Sequence, residues 1–262
     1  MNYVIGDVHG CYDEMMAMIQ NIEQRDKDAI FYFTGDFVDR DPKVVETLNW
    51  VLENISNNGK YQSVKGNHED MLVDWYNAYK HEYKYYRIPP TKYDFSKIAE
   101  TLTYKEVTAY IEKMQTLPDI IIKHINNEKF HIVHAWDRGN FYIDAGYTDK
   151  NIKYDRLWNR DEEYNMMGEN IDFTIIHGHT PTIFEEAFIC YENKYCKSNL
   201  GKVLKKKYSY NIDCGCVYYQ YNENPLAKLC KLAAICLETK DIYYVIPKTL
   251  DFIKDRAIDL NI

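Results

Sequence analysis

The chain has no uninterrupted apolar run near the length of about 18 residues that reads as a membrane span, so none is expected. Its start, Met1-Asn2-Tyr3-Val4-Ile5, has no basic segment followed by an apolar one, and no signal peptide is expected from it. Basic residues are outnumbered: 32 Lys and Arg stand against 40 Asp and Glu, a net charge of −8. That balance argues against general affinity for the nucleic-acid backbone, which needs a basic face. A few arginines or bound cations could still make one site locally positive. The sequence lacks a Walker loop, a G-x-G-x-x-G fingerprint and an H-E-x-x-H pair, which removes support for nucleotide-triphosphatase, dinucleotide-binding and zinc-protease readings. There is no linker rich in Gly, Pro or Ser and no internal repeat. Cysteine is present seven times, an odd number, with no C-x-x-C pair. Cys190, Cys196, Cys214 and Cys216 therefore lack the knuckles of a structural zinc site, and reduced thiols in a cytoplasm are expected.

What is present is enough apolar residue, 46% of 262, for a substantial core. Strand and helix patterns alternate over 1–70. Strands are predicted over 3–5, 29–33 and 61–64. Between them, Met15, Met18, Ile19 and Ile22 recur at helical spacing, predicting a helix over 13–23. A second helix over 44–54 is opened by Pro42. The βαβαβ order implies parallel pairing. Residues 68–118 read as mostly helical, broken around Ile88-Pro89-Pro90 and resumed over 107–114. From residue 120 the period changes, with strands expected over 120–123, 130–133, 173–176, 208–212, 217–221, 233–237 and 243–246. These read as a second, mainly antiparallel sheet. The expected architecture is one α/β domain over 1–262, with two facing mixed sheets flanked by helices. It carries a helical cap-like segment over 68–118 and a basic loop or arm over 190–207, which holds Lys194, Lys197, Lys202, Lys205, Lys206 and Lys207. The 25 tyrosines read chiefly as amphipathic packing.

Five short strings carry the chemistry: Gly6-Asp7-Val8-His9-Gly10, Gly35-Asp36-Phe37-Val38-Asp39-Arg40, Gly66-Asn67-His68-Glu69, His134-Ala135 and Gly178-His179-Thr180. Each places a metal-type ligand directly after an apolar run, where the C-terminal ends of strands in open α/β sheets bind ligands. Aspartates, an asparagine and histidines together form the mixed oxygen and nitrogen set that borderline divalent metals prefer. Five strings in this order are hard to produce by chance. They resemble the metal-dependent phosphoprotein phosphatase family of the calcineurin-like metallophosphoesterases, and phage and bacterial serine/threonine phosphatases above all. The resemblance covers residues 1–70 and 130–220 most strongly.

The resemblance implies two divalent metals, Mn²⁺ first, with Fe or Zn also possible. It gives Asp7, His9 and Asp36 to the first metal, and Asp36 as a bridge with Asn67, His134 and His179 to the second. His68 is implied as proton donor to the leaving oxygen, with Asp39 behind it. A carboxylate there would favour the imidazolium. Arg40 is implied as a phosphate clamp, and Leu157-Trp158-Asn159-Arg160 resembles the segment carrying the second; Arg156 and Arg138 are alternatives. Asp213-Cys214-Gly215-Cys216 resembles a late strand-turn that packs beneath the site. Two departures from the family pattern, Asp41 after Arg40 and Trp136 after Ala135, are expected near the rim, where they bear on substrate fit.

The function implied is hydrolysis of phosphomonoesters in one step, by attack of a metal-bridging hydroxide. The substrate is expected to be phosphoserine or phosphothreonine on a protein, or a small phosphoester, with no nucleic-acid or membrane partner. A symmetrical dinucleoside tetraphosphate hydrolase shares the motifs and is the alternative.

Overall fold

The computed structural model describes residues 1–40, 43–85, 95–160, 171–184, 200–221 and 225–259. The side chains of residues 79, 81–85, 96, 97, 99, 143 and 144 are outside that description. Twelve strands in this range form two six-stranded sheets. The first has the order β11 (Phe252–Asp255), β10 (Ile242–Val245), β9 (Leu232–Cys236), β1 (Asn2–Ile5), β2 (Ile30–Phe33) and β3 (Tyr61–Ser63). Strands β1, β2 and β3 are parallel, as the βαβαβ order requires, and β9 to β11 continue the sheet antiparallel. The second has the order β12 (Ile258–Asp259), β7 (Leu204–Lys205), β8 (Ser209–Asn211), β6 (Thr174–His177), β5 (Glu128–Val133) and β4 (Ile120–Ile125). Here β5, β6 and β8 are parallel, while β4–β5 and β7–β8 pair antiparallel.

The sheets are thus both mixed, with helices outside. The expectation of a mainly antiparallel second sheet is corrected: two of the late strands join the first sheet, and the chemical core of the second is parallel. The strand expected over 217–221 is a short 3₁₀ helix, Cys216–Gln220. Gly215, at φ 71°, turns the chain there, and Cys216 and Val217 are buried at its start.

Alternation sets the two packing faces. Tyr3, Ile5, Phe31 and Phe33 point to the helix side, where they meet Met15, Met18 and Ile19 of α1 (Tyr12–Arg25) and Leu48 and Val51 of α2 (Val44–Asn54). The same core takes Leu72 of α3 (Asn67–Tyr85), Ile98 of α4 (Ser96–Thr101) and Val107 and Ile111 of α5 (Tyr104–Gln115). Val4, Tyr32 and Val64 point the other way and pack on Phe130, Ile132, Ile176 and Ile212 of the second sheet. A two-sided burial of this kind explains why β1 and β2 read as continuous apolar runs. Thr103 forms a capping box with Glu106 that starts α5, and Thr148 does the same with Asn151 for α7 (Asp149–Trp158), after the short α6 (Phe141–Asp144).

Among the described residues no helix is long and apolar enough to cross a membrane. Most of the basic arm lies outside the described residues. Of its described lysines, Lys202 pairs with Asp255 at 3.0 Å and Lys205 with Asp259 at 2.5 Å, so these two tie β7 to the C-terminal strands.

Candidate active site

Strands β1, β2, β3, β5, β6 and β8 run so that their C-terminal ends meet at one edge, and each is followed by residues of the site. The turns there are tight. His9, Asp36, Asp39, Arg40 and His179 all sit at positive φ, between 44° and 69°. Such backbone costs of order 1–3 kcal/mol per residue and persists where the surroundings over-determine it. Glycine allows the close approaches: a Cβ at Gly66 would strike the Asp36 and Glu69 side chains, and one at Gly178 would strike Asp7.

The structure brings Asp7, His9, Asp36, Asn67, His134 and His179 together, all 5% exposed or less. The three imidazoles share one arrangement. His134 Nδ1 donates to the Thr34 carbonyl at 2.8 Å, which leaves Nε2 as a lone pair. His179 Nε2 donates to the Trp158 carbonyl at 3.3 Å, leaving Nδ1. His9 Nδ1 donates to the Val38 carbonyl and to Asp39 Oδ1, both at 3.0 Å, leaving Nε2. Outer partners of this kind fix the tautomer and aim a metal ligand. The free lone pairs then converge. His134 Nε2 is 2.8 Å from Asn67 Oδ1 and 3.1 Å from His179 Nδ1, three acceptor atoms with no shared proton. Asp36 Oδ2 lies 3.3 Å from His9 Nε2 and 3.4 Å from His134 Nε2, between the two halves of the cluster. Asp36 also belongs to both three-residue groups suited to a cation here, one with Asp7 and His134, the other with His9 and His68.

The electrostatics suit a positive charge at this cluster. Burial, and then the charge of Asp36, raise the Asp7 carboxyl to about 7. Burial, followed by Asp7, raises Asp213 to about 8. Burial also opposes ionisation of Asp36, but His134, His68 and His9 outweigh it and hold its carboxyl well below the usual range. Burial, then His134 and Arg160, lower His179 to about 2, which keeps it in the neutral form that ligates. Buried carboxylates crowded beside aimed imidazole lone pairs are what a divalent cation relieves. The residues present therefore fit a two-ion centre.

On the open side, His68 Nδ1 hydrogen-bonds Asp39 Oδ2, and its Nε2 accepts from Arg40 Nη2 at 3.0 Å. Burial opposes ionisation of Asp39, yet the bonds from His68 and His9 hold its carboxyl down at about 2. Arg40 Nη1 reaches His9 Nε2 at 2.9 Å and the Tyr218 hydroxyl at 3.2 Å. Arg160 is exposed and donates to Thr180 Oγ1 at 3.0 Å and the His179 carbonyl at 3.3 Å. The alternative arginines are engaged elsewhere. Arg138 Nε pairs with Asp155 at 2.7 Å and Arg156 Nε with Asp137 at 2.9 Å.

Glu69 and Thr34 take roles that the sequence alone does not reveal, and Asp213 lies beside the site as the resemblance of its strand-turn implies. Glu69, fully buried, accepts from the amides of Asp36, Gly66, Phe37 and Val38 at 2.7 to 3.3 Å, and so ties the second string to the third. Its signal was its place directly after His68. Asp213, 4% exposed, lies beside Asp7 and accepts from the Gly215 amide at 2.9 Å. Thr34 Oγ1 donates to Asp7 Oδ1 at 2.7 Å. Trp136 is a correction: it is 3% exposed, packed edge-on against His177 at 5.5 Å, and not at the rim. Asp41 lies outside the described residues.

Comparisons with known proteins bear on the family and the fold of the chain. The model of the calcineurin-like phosphoesterase family matches residues 3–214. The serine/threonine-protein phosphatase 2 of Salmonella typhimurium is 27% identical over 210 residues, covering 76% of this chain and 90% of that protein. The symmetrical bis(5'-nucleosyl)-tetraphosphatase of Cronobacter sakazakii is 42% identical over 71 residues, 27% of this chain and 24% of that protein. In fold, the chain is similar to a metallophosphoesterase from Sphaerobacter thermophilus, with a TM-score of 0.51 at 16% identity over 98% of this chain and 89% of that one. The chain belongs to the calcineurin-like phosphoesterases, metal-dependent hydrolases of phosphoesters.

Proposed function

We propose that this chain is a dinuclear metal-dependent phosphomonoesterase acting on phosphoserine and phosphothreonine of proteins. The observation that carries the chemistry is the clustering of five buried ligand side chains, Asp7, His9, Asn67, His134 and His179, around a buried Asp36, beside the His68–Asp39 pair. In this reading Asp7, His9 and Asp36 hold one ion, and Asp36, Asn67, His134 and His179 the other. Mn²⁺ suits this donor set, and Fe or Zn also fits it. When bound, the ions supply Lewis-acid charge that polarises the phosphate and acidifies water.

The chain's own residues do the rest. Arg40 and Arg160 bind the phosphate oxygens. Arg40 must then turn from His68 Nε2, which it now contacts, toward the phosphate, and this leaves Nε2 facing the leaving oxygen. Once Arg40 has turned away, His68 takes up a proton on Nε2 from water, the imidazolium being favoured by Asp39 at Nδ1, and delivers that proton to the leaving oxygen. Such a donor contributes about 10²–10⁴-fold. Glu69 fixes the Asp36 loop by its four amide bonds, and the segment 68–118 acts as a helical cap within a single domain.

Protein as the substrate is supported by the extent of likeness to the Salmonella phosphatase, 90% of that protein's length. Symmetrical hydrolysis of dinucleoside tetraphosphates is the second reading, favoured by the higher identity to the Cronobacter enzyme over 71 residues. Catalytic efficiency on phosphopeptides, p-nitrophenyl phosphate and a dinucleoside tetraphosphate, all with added Mn²⁺, separates the two. The phosphopeptide is expected to be preferred. A hundredfold preference for the tetraphosphate overturns the protein reading.

A further inference from the structure

Tyr218 links the phosphate side of the site to a second feature. Arg40 donates to its hydroxyl, and the guanidinium lies 5.5 Å from its ring centroid. The same ring forms one wall of a cavity of about 190 Å³, lined also by Ile183, Phe184, Tyr221, Ala227 and Cys230. Ile183, Ala227 and Cys230 are buried, whereas Phe184 and Tyr221 are large hydrophobic side chains 41% and 53% exposed. Among the described residues, these walls carry no charged group. Phe184 meets Tyr218 edge-on, with centroids 5.1 Å apart and an interplanar angle of 80°. Tyr221 is tilted against Tyr218 at 6.0 Å.

The shape and chemistry select an occupant. The volume falls short of the several hundred cubic ångströms typical of sites for drug-sized ligands, and suits one side chain. Rings set at right angles make a corner, not the parallel slot on which a nucleobase stacks. A base would also bring polar edge atoms to an apolar wall, which costs free energy wherever a partner is lacking. An apolar side chain has neither difficulty, and it would cover Phe184 and Tyr221. The cavity shares Tyr218 with Arg40, the proposed phosphate clamp, so a group carried a short way along the chain from a bound phosphate could enter it. In an extended peptide the next residues are within that reach, and alternate side chains share a face.

We infer that this cavity receives the apolar side chain of a residue one or two positions from the phosphorylated residue, and so gives the enzyme a sequence preference. The inference rests on the protein-phosphatase reading. It predicts that Phe184, Tyr221 and Tyr218 form a specificity pocket for Leu- or Phe-sized groups.

The test uses the Mn²⁺-loaded protein and synthetic phosphoserine peptides that carry Leu, Phe or Gly at each position from two before to two after the phosphoserine. At one position Leu or Phe should raise kcat/KM about tenfold or more over Gly, the range expected for burying one such side chain. Phe184→Ala and Tyr221→Ala, both at exposed side chains, should each pull that ratio toward one, with the Gly peptide as internal reference and Tm as the check on folding. Peptides cleaved without positional preference, or with a preference unchanged in both variants, overturn the pocket and leave the phosphatase reading standing. A selective loss of dinucleoside tetraphosphate cleavage in Phe184→Ala assigns the cavity to a base and also overturns the inference. Cleavage of none of the peptides overturns the reading itself and the inference with it.

Discussion

Two of the histidine–aspartate pairs among the described residues can be compared, and they do different things. His68 Nδ1 bonds Asp39, and His131 Nδ1 bonds Asp137 at 2.7 Å. Both aspartates are buried. His131, however, stands inside β5, stacked on Phe173 at 3.8 Å, and its Nε2 has no partner among the described residues. Asp137 also takes Arg156 Nε at 2.9 Å and the Gly139 amide at 3.1 Å. His68 follows a strand end, and its Nε2 faces Arg40 and, at 3.9 Å, Asp36. The same residue types thus make a structural clamp in one place and, in the proposed mechanism, a proton donor in the other. What differs is whether the second imidazole nitrogen opens onto a polar, reachable space. A His–Asp pair alone is therefore no evidence of catalysis.

The contrast is sharpest in variants. His68→Asn should lower turnover of alkyl phosphates such as phosphoserine peptides by about 10²–10⁴-fold. The loss on p-nitrophenyl phosphate, whose leaving group needs no proton, should be much smaller, with little change in Tm. Equal losses on both substrates would make His68 a structural residue like His131.

Asp137→Asn should do the reverse. Removing one partner from a buried ion pair typically costs about 3–5 kcal/mol. Arg156 is partly exposed, so the lower end is expected. Denaturant unfolding reads the loss, and kcat per folded molecule should be unchanged. A fall in kcat matching that of His68→Asn would erase the distinction.

Arg160→Ala should weaken transition-state binding by about 1.5–3 kcal/mol, the range for hydrogen bonds to charged groups, with metal content unchanged. Arg156→Ala should instead lower stability through Asp137. Wild-type kinetics in Arg160→Ala would return Arg156 or Arg138 as the clamp.

The smallest effect is one of pH. Burial works against the charged form of Asp137, but the His131 bond and Arg156 hold its carboxyl below the ordinary value. A carboxylate depressed in the fold contributes stability above its unfolded value, near 4, and loses it as pH falls through the folded one. Stability should therefore drop below about pH 4, and the drop should be shallower in Asp137→Asn. An equal drop in both proteins would place the acid sensitivity elsewhere.

Much of this was legible in sequence because ligands at strand ends are set by local pattern. The alternation of apolar runs and helical spacing over residues 1–70 predicted three parallel strands, and β1, β2 and β3 are parallel. Strand partners were less legible. The runs at 233–237 and 243–246 read as strands, but nothing local says that they extend the sheet of β1, at the far end of the sequence, and not that of β8. Periodicity failed at 217–221, where Gly215 redirects the chain into a 3₁₀ turn. Position in a motif puts Trp136 at the rim, but an aromatic beside a strand end is as readily buried, and Trp136 is. Glu69 stood in plain view, but its role depends on amides 31 to 33 residues distant.

Asp36 is proposed to bridge two metal ions, and metal content tests that role most directly. After loading with Mn²⁺ and removal of excess, mass spectrometry of the wild type should give two equivalents per chain. Asp36→Asn should lose metal more severely than Asn67→Ala, which strips one ligand from one ion. Two full equivalents retained in Asp36→Asn would contradict the bridging assignment.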